Sequence, residues 1–557
     1  MKKNILSLAV AASAAGMTGL ATAQMYVNTE HTGEALIFPF YSAQNGNDTL
    51  ISIANTTADT KAVKVRIIES QESEEVLDFN LYMSPQDHFA FAITADGDGA
   101  KLVTADTSCT VPAITDGEQA FTDLLLLEAA AGDDPAQVLG DAASREQIGY
   151  IEVIEMGQVV DADLVTAITH VDGVPADCSV VVDAWSIVDD VEGAWYSDAN
   201  GEEVGVDGSE DANVGTTGMG AAWNGGGLYG VATVINVAEG TAFGYDAVAI
   251  ENLVDATRED ADGDVVATGA ALHYAPGDTR PDFSDTVIND TASIAIDGAL
   301  VAYSNPLAVT ETGAGAFHTV SAVLMTDSIS NDYVVDPTIN ALTDWIVTMP
   351  TKSHYEDAVL VWTEPFSYGY VGGESGTAAN YANDCQPFSL TVYDREEGTL
   401  EPPAIPEADP TNDSPQFSPY IRPEVEEGVT PDGADPVLCS ETTVVHFGTA
   451  SATNTSEADE DPEVNRTLSN VNSLLSDEDQ DFVAGWAVMD LSGEALNNPV
   501  NNDRLLPGTV AGADFDQLRG LPVTGFAVVE YTNGVLGSAI ANYQSSWEHK
   551  MSVATSE

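Results

Sequence analysis

Three carboxylates, Asp260, Asp262 and Asp264, stand at alternate positions, the spacing with which loops gather oxygens around a calcium ion. An EF-hand is ruled out: counting Asp260 as the first position, the sixth holds Val265 where glycine is needed, and the twelfth holds Ala271 where a bidentate acid is needed. A looser extracellular calcium site is the chemical candidate, and a solvated hairpin tip is the plainer alternative in so acidic a chain. Asp96 and Asp98, in the run Asp96-Gly97-Asp98-Gly99, pose the same choice. Calcium is the one cofactor these spacings suggest.

Other motifs lead away from catalysis. Gly225, Gly227 and Gly230 satisfy G-x-G-x-x-G, but the motif runs into the β-type stretch VATVINVA, whereas dinucleotide binding needs a helix there. Gly373-Glu374-Ser375-Gly376 lacks the register of a nucleophile elbow. Asp87-His88 and Ser353-His354 are sequence neighbours, which a strand would point to opposite faces. The 8 histidines include no H-E-x-x-H pair. With 90 acidic residues, paired carboxylates of the glycosidase kind lose their diagnostic value. The chain reads as a non-enzyme, with a secreted hydrolase as the weaker alternative. A carbohydrate-binding surface would need exposed aromatics, for which Trp195, Tyr196, Trp223 and Tyr229 around the glycine-rich stretch are the candidates.

The elements that must position these residues are short β-type runs. Residues 34–93 read ALIFPFYS, TLISIAN, KAVKVRIIES and VLDFNLYM between turn signals, with Asn45-Gly46 as a hairpin signal. Val63, Val65 and Ile67 alternate with Lys64 and Arg66, as in a half-buried strand. Further strands are expected at 150–156, 179–188, 227–238, 292–297, 317–325 and 343–350, and a closing hairpin at 525–544 with Asn533-Gly534 at its tip. Helices are expected over 117–131 and 135–146, with a helical turn or two within 245–253. The fold class is mostly β: antiparallel, immunoglobulin-like β-sandwich units with a few short helices and long acidic loops.

Residues 1–23 form a signal peptide, with Lys2 and Lys3 before an apolar run and Ala21-Thr22-Ala23 before Gln24. The expected divisions are an N-terminal sandwich over 24–195, a second β-rich unit over 215–397, and a segment over 437–557 packing on that second unit. Between the last two, the 398–436 insertion holds nine of the 25 prolines. Cys109, Cys178, Cys385 and Cys439 fit an oxidising compartment, with Cys109–Cys178 and Cys385–Cys439 as the preferred pairing. Sixteen Lys and Arg against 90 Asp and Glu give a formal charge of −74, which excludes nucleic acid and anionic membranes as electrostatic partners. Such a chain suits saline water, where the Debye length falls to roughly 3 Å at 1 M salt. Hydrophobic residues at 44% leave ample material for a core, and no later segment is long and apolar enough to span a bilayer.

The stretches GEALIFPFYSAQNGNDTLISIANTT, KAVKVRIIES, EEVLDFNLYMSP, GYIEVIEMG, GYDAVAIENL, LTDWIVTMPTK and NYQSSWEHK resemble an uncharacterised family of secreted or cell-surface proteins of proteobacteria. The resemblance implies export and carries no established catalytic residues. Together these features predict an exported acidic structural or interaction protein of the cell surface. It would self-associate or join other envelope components in an S-layer-like coat or extracellular assembly, with divalent-cation support.

Overall fold

The computed structural model describes residues 24–556, apart from 123–141, 196–217, 221–224, 255–271, 306–315, 356–364, 367–385, 401–435, 456–467, 494–503, 511–516 and shorter stretches between them. It is mostly β: of the described residues 54% are strand and 10% helical. The signal peptide, Asp260, Asp262, Asp264, Tyr196, Trp223 and Cys385 all lie outside the described residues.

Two antiparallel sheets form the N-terminal body. The first runs, in spatial order, Tyr26–Val27, Val248–Glu251, Ala35–Ser42, Ile148–Val159, Thr60–Glu69, Glu75–Met83 and Cys109–Val111. The second runs Thr241–Asp246, Leu228–Asn236, Asn47–Asn55, His88–Asp96, Gly99–Val103 and Glu118–Ala120. These sheets of seven and six strands are larger than the four and three of an immunoglobulin domain. Val63, Val65, Ile67, Phe79 and Ile151 of the first meet Ile51, Ile53, Phe89, Phe91 and Leu102 of the second in one core, as alternation on a pleated strand requires. The segment 228–251, expected in the second unit, completes both N-terminal sheets: Leu228–Asn236 pairs with Asn47–Asn55, and Val248–Glu251 with Ala35–Ser42. Residues expected to be helical within 245–253 are therefore strand, because both neighbours offer open ladder edges.

A second pair of sheets encloses the other core. One orders Thr399–Leu400, Ser389–Asp394, Ala484–Asp490, Ser328–Val334 and Lys550–Ser552; the other orders Leu468–Asn470, Thr442–His446, Ala341–Thr348, Thr524–Leu536 and Ala539–Glu548. Trp345, Val347, Val445 and Ala527 face Ile329, Tyr333, Leu390 and Met489 across it. Strands from 437–557 thus pair with strands from 328–394. Phe40, Ile148, Val234 and Phe243 of the first body pack on Ile346, Val444, Phe526 and Val528 of the second.

Several expectations change. Asn45 and Gly46 do take positive φ, 52° and 83°, but their turn carries the chain from one sheet to the facing one and forms no hairpin. The 179–188 run begins as the helix Cys178–Ala184, because Asp177 caps it by accepting from the Ser179 amide. Residues 317–325 begin as the helix Phe317–Leu324, which puts Phe317, Val320 and Leu324 into the core at helical spacing. Of the helix expected over 117–131, Glu118–Ala120 is an edge strand on Gly99–Val103, and 123–131 lies outside the described residues. Of the helix expected over 135–146, Ala142–Arg145 is described and helical. The closing hairpin exists, but Asn533 and Gly534 lie within Thr524–Leu536, where the register shifts between Thr532 and Val535. Cys109 and Cys178 are bonded, and Cys439 is also in a disulfide.

The second core buries two neutral histidines. His549 donates from Nε2 to the Ile346 carbonyl at 3.0 Å and accepts at Nδ1 from Asn331 at 3.1 Å. Burial pushes it down to about 4, and burial pushes His318 down to about 4 as well. An unfolded histidine takes its proton near 6.5 while these resist, so their stabilisation is complete above that pH and is lost as pH falls towards 4. Replacing His549 by glutamine should flatten this part of the profile: the loss of unfolding free energy between pH 7 and 4.5, measured in urea, should shrink by about 2 kcal/mol. An unchanged slope would mean that His549 is protonated in the folded protein.

Candidate functional site

The strand Thr60–Glu69 is buried along its whole length, which corrects the half-buried reading of KAVKVRIIES. Val63, Val65 and Ile67 fill the sandwich, while Lys64 and Arg66, expected in water, lie under the opposite face at 0% and 7% exposure. Neighbouring strands supply their counter-charges. Arg66 donates from Nη1 to Glu152 on Ile148–Val159 and from Nε to Glu75 on Glu75–Met83, the latter at 3.0 Å. Lys64 pairs with Asp78 and donates to the Asp278 carbonyl at 2.6 Å. A covering segment closes this face: Asn80 donates to the Tyr274 carbonyl, Tyr82 meets His273 at 3.1 Å, and Arg280 grips Asp278 while lying over the Tyr274 ring.

Two more pairs lie nearby. Lys61 donates to Glu155 at 2.6 Å, and Arg145 holds both oxygens of Glu69 at 2.8 and 3.1 Å. Burial pushes the Glu152 and Glu155 carboxyls up to about 7, against the pull of Arg66 and Lys61 respectively. For Arg66, burial alone would favour deprotonation, yet Glu152 and Glu75 outweigh it and raise its pKa. Asp282 is lowered despite its burial, because His354 and Arg66 draw on its charge. Together these groups form a load of paired charge between strands.

The second hub is Asp344, fully buried on Ala341–Thr348. It accepts from His446 Nδ1 at 2.7 Å, Ser451 Oγ at 2.7 Å, and the amide and hydroxyl of Thr453 at 2.9 and 2.8 Å. Burial opposes its charge, but His446 and these donors prevail and hold it below the ordinary carboxylate range. The loop so fixed receives Asn47 on the Thr453 carbonyl and Asn45 on the Asn454 carbonyl, which docks the two bodies. Asp344 sits alone in LTDWIVTMP and gave no motif to read.

One cleft, of about 400 Å³, is lined by Asp87, His88, Asp106, Thr107 and His170. Its acids are occupied by turns: Asp87 accepts from the Ser84 and His88 amides, and Asp106 from Ala90 and Ser108. Ser84 and Asp87 both approach the same ring nitrogen of His170, Nδ1, at 3.1 and 3.6 Å. A serine–histidine–aspartate relay needs the two partners on different nitrogens, so that relay is not formed.

Of the residues singled out in the sequence, Asp96, Asp98, Trp195, Tyr229, Cys109, Cys178 and Cys439 are among the described residues. Asp96 pairs with Gly99 at a hairpin end whose Gly97 has φ 67°, a turn geometry that needs no ion. Among the described residues no group of three or more His, Cys, Asp or Glu is placed to hold a metal. Trp195, proposed as an exposed platform, is instead fully buried, stacked on Tyr82 at 5.3 Å and packed against Trp185 and His273, because it closes the core beneath the disulfide-linked helix. Tyr229 is 38% exposed. The Gly226 amide, where a phosphate would bind, already donates to Glu155 at 2.9 Å.

Removing one partner from a buried pair strands the other charge, at about 3–5 kcal/mol. Arg66→Met should therefore lower the unfolding free energy by that amount, and adding Glu152→Gln should return part of it. Arg395, which is exposed, should tolerate the same change to within about 0.5 kcal/mol. Equal small effects at both positions in urea titrations would contradict the buried network.

No protein-family model matches the chain, and no curated protein or solved structure matches it either.

Proposed function

We propose that this chain is an exported, acidic structural or interaction protein of the cell surface that associates with copies of itself or with other envelope components. The observation that carries this reading is where the scarce positive charge goes. Lys61, Lys64, Arg66, Arg145, Lys352 and Arg504 are buried, and among the described basic residues only Arg395 and Lys550 are exposed. Charges that could have worked in a cleft are consumed in holding strands together, while the exterior is left to carboxylates. Those carboxylates draw cations, calcium included, as a diffuse counter-charge; the reading needs no dedicated metal centre.

The N-terminus supports export with cleavage before Gln24. Asn252 donates to the Gln24 carbonyl, and Met25 is fully buried, with its amide on the Thr291 carbonyl. The folded body thus engages the chain directly after the signal. A carbohydrate-binding reading keeps one specific feature, now away from Trp195. Trp486, 43% exposed, stacks on Tyr393 at 4.2 Å on the outer face of a five-stranded sheet.

Fractionation of the producing cells tests the proposal. The chain should be recovered outside the cytoplasm, beginning at Gln24, and should sediment with the envelope at about 1 M salt, where screening is nearly complete. A full-length chain in the cytoplasm would overturn it.

A further inference from the structure

The six-stranded sheet turns one face into the sandwich core and the other outward, and the outward face holds its charged groups, Asp48, Asp96, Lys101, Glu118 and Asp246, around an uncharged centre. Its rungs follow from the pairing. Gly244, Thr233, Leu50, Ala92 and Val103 lie side by side across five strands, with Glu118 at the far edge as the first charged group. The next rung runs Val231, Ser52 and Ala90, with Asp246 at its end. Leu50, Val231 and Tyr229 are 43%, 37% and 38% exposed. On a chain of formal charge −74, such a continuous apolar and small-residue face marks an interaction surface.

We propose that this face is the interface of a two-fold dimer, in which a second copy of this chain lies on it sheet against sheet; the proposal rests on the self-associating reading above and names its surface. Charge selects the occupant. A second copy approaching any acidic face sets carboxylates against carboxylates, whereas here the two copies present only small and apolar groups at the centre and keep Asp48, Lys101, Glu118 and Asp246 at the rim. Size agrees. The strands Asn47–Asn55, His88–Asp96 and Leu228–Asn236 have nine residues each. Thr241–Asp246, Gly99–Val103 and Glu118–Ala120 add six, five and three residues, so at about 3.4 Å per residue and about 4.8 Å per strand the whole face, charged rim included, covers roughly 670 Å². That is close to the roughly 800 Å² per partner of a stable interface. Alanine, serine and glycine let two such sheets approach to the usual spacing of about 10 Å, and a two-fold axis closes the pair without leaving a second face to propagate.

The test is sedimentation of the full chain at about 1 M NaCl, wild type against Leu50→Asp/Val231→Asp. The wild type should dimerise, and the double variant should raise the dimer Kd at least about a hundredfold, because it brings four carboxylates, two from each copy, into the centre of the interface. Leu300→Asp, at a position 52% exposed on another sheet, should leave Kd unchanged. Independently of any loss of stability, Ser52→Cys near the centre of the face should give a covalent dimer with a short bis-maleimide cross-linker, which spans the gap that facing sheets leave. Association that survives the double variant, with no cross-link through position 52, overturns this face and leaves the self-associating reading standing; a wild type that stays monomeric at every salt concentration overturns both. Binding only of an added polysaccharide or an unrelated protein, with no homodimer, also overturns the proposal.

Discussion

A guanidinium held between two carboxylates inside a sheet is the constraint on which the N-terminal body depends. Arg66 reaches Glu152 on one neighbouring strand and Glu75 on the other, so the register of three strands is fixed by charge as well as by the alternation of Val63, Val65 and Ile67. A slip of one residue would turn Lys64 and Arg66 into the apolar core. Such pairs are costly to desolvate and add little net stability compared with apolar groups of the same size. What they supply is exclusivity: with one pairing that gives Lys64 and Arg66 their carboxylates, the alternatives are penalised.

The same placement accounts for the exterior. In a chain with 16 basic residues, each lysine or arginine set between strands is one fewer to offset the acids outside. Interior order and exterior repulsion are therefore two aspects of one distribution. The Asp344 hub extends this logic to the junction of the two bodies, where a single buried carboxylate organises His446, Ser451 and Thr453 so that Asn45 and Asn47 have carbonyls to bind. The uncharged face around Leu50 is where this exterior repulsion is locally absent.

Much of the β architecture was legible from local patterns. The strands Ile148–Val159, Leu228–Asn236 and Ala341–Thr348 fall on the runs that alternation and β-branched content mark out. The Cys109–Cys178 link also agrees with the preferred pairing. Where the reading failed, the missing information was tertiary. A valine-rich run such as SVVVDA can be strand or helix, and an aspartate cap decided it. Alternation at Lys64 and Arg66 looks the same whether the polar side meets water or a covering segment, because period alone does not say what lies above the sheet. Asp344 and the uncharged face could not be read at all, since each exists only once distant strands are side by side.

Equilibrium unfolding as a function of NaCl tests the central claim most directly: that positive charge is spent within and negative charge is left outside. From about 0.05 M to about 1 M NaCl the unfolding free energy should rise steadily as exterior repulsion is screened, while the cost of Arg66→Met should stay nearly constant because that pair is out of reach of the salt. A wild-type stability that is flat or falls over this range would contradict the account.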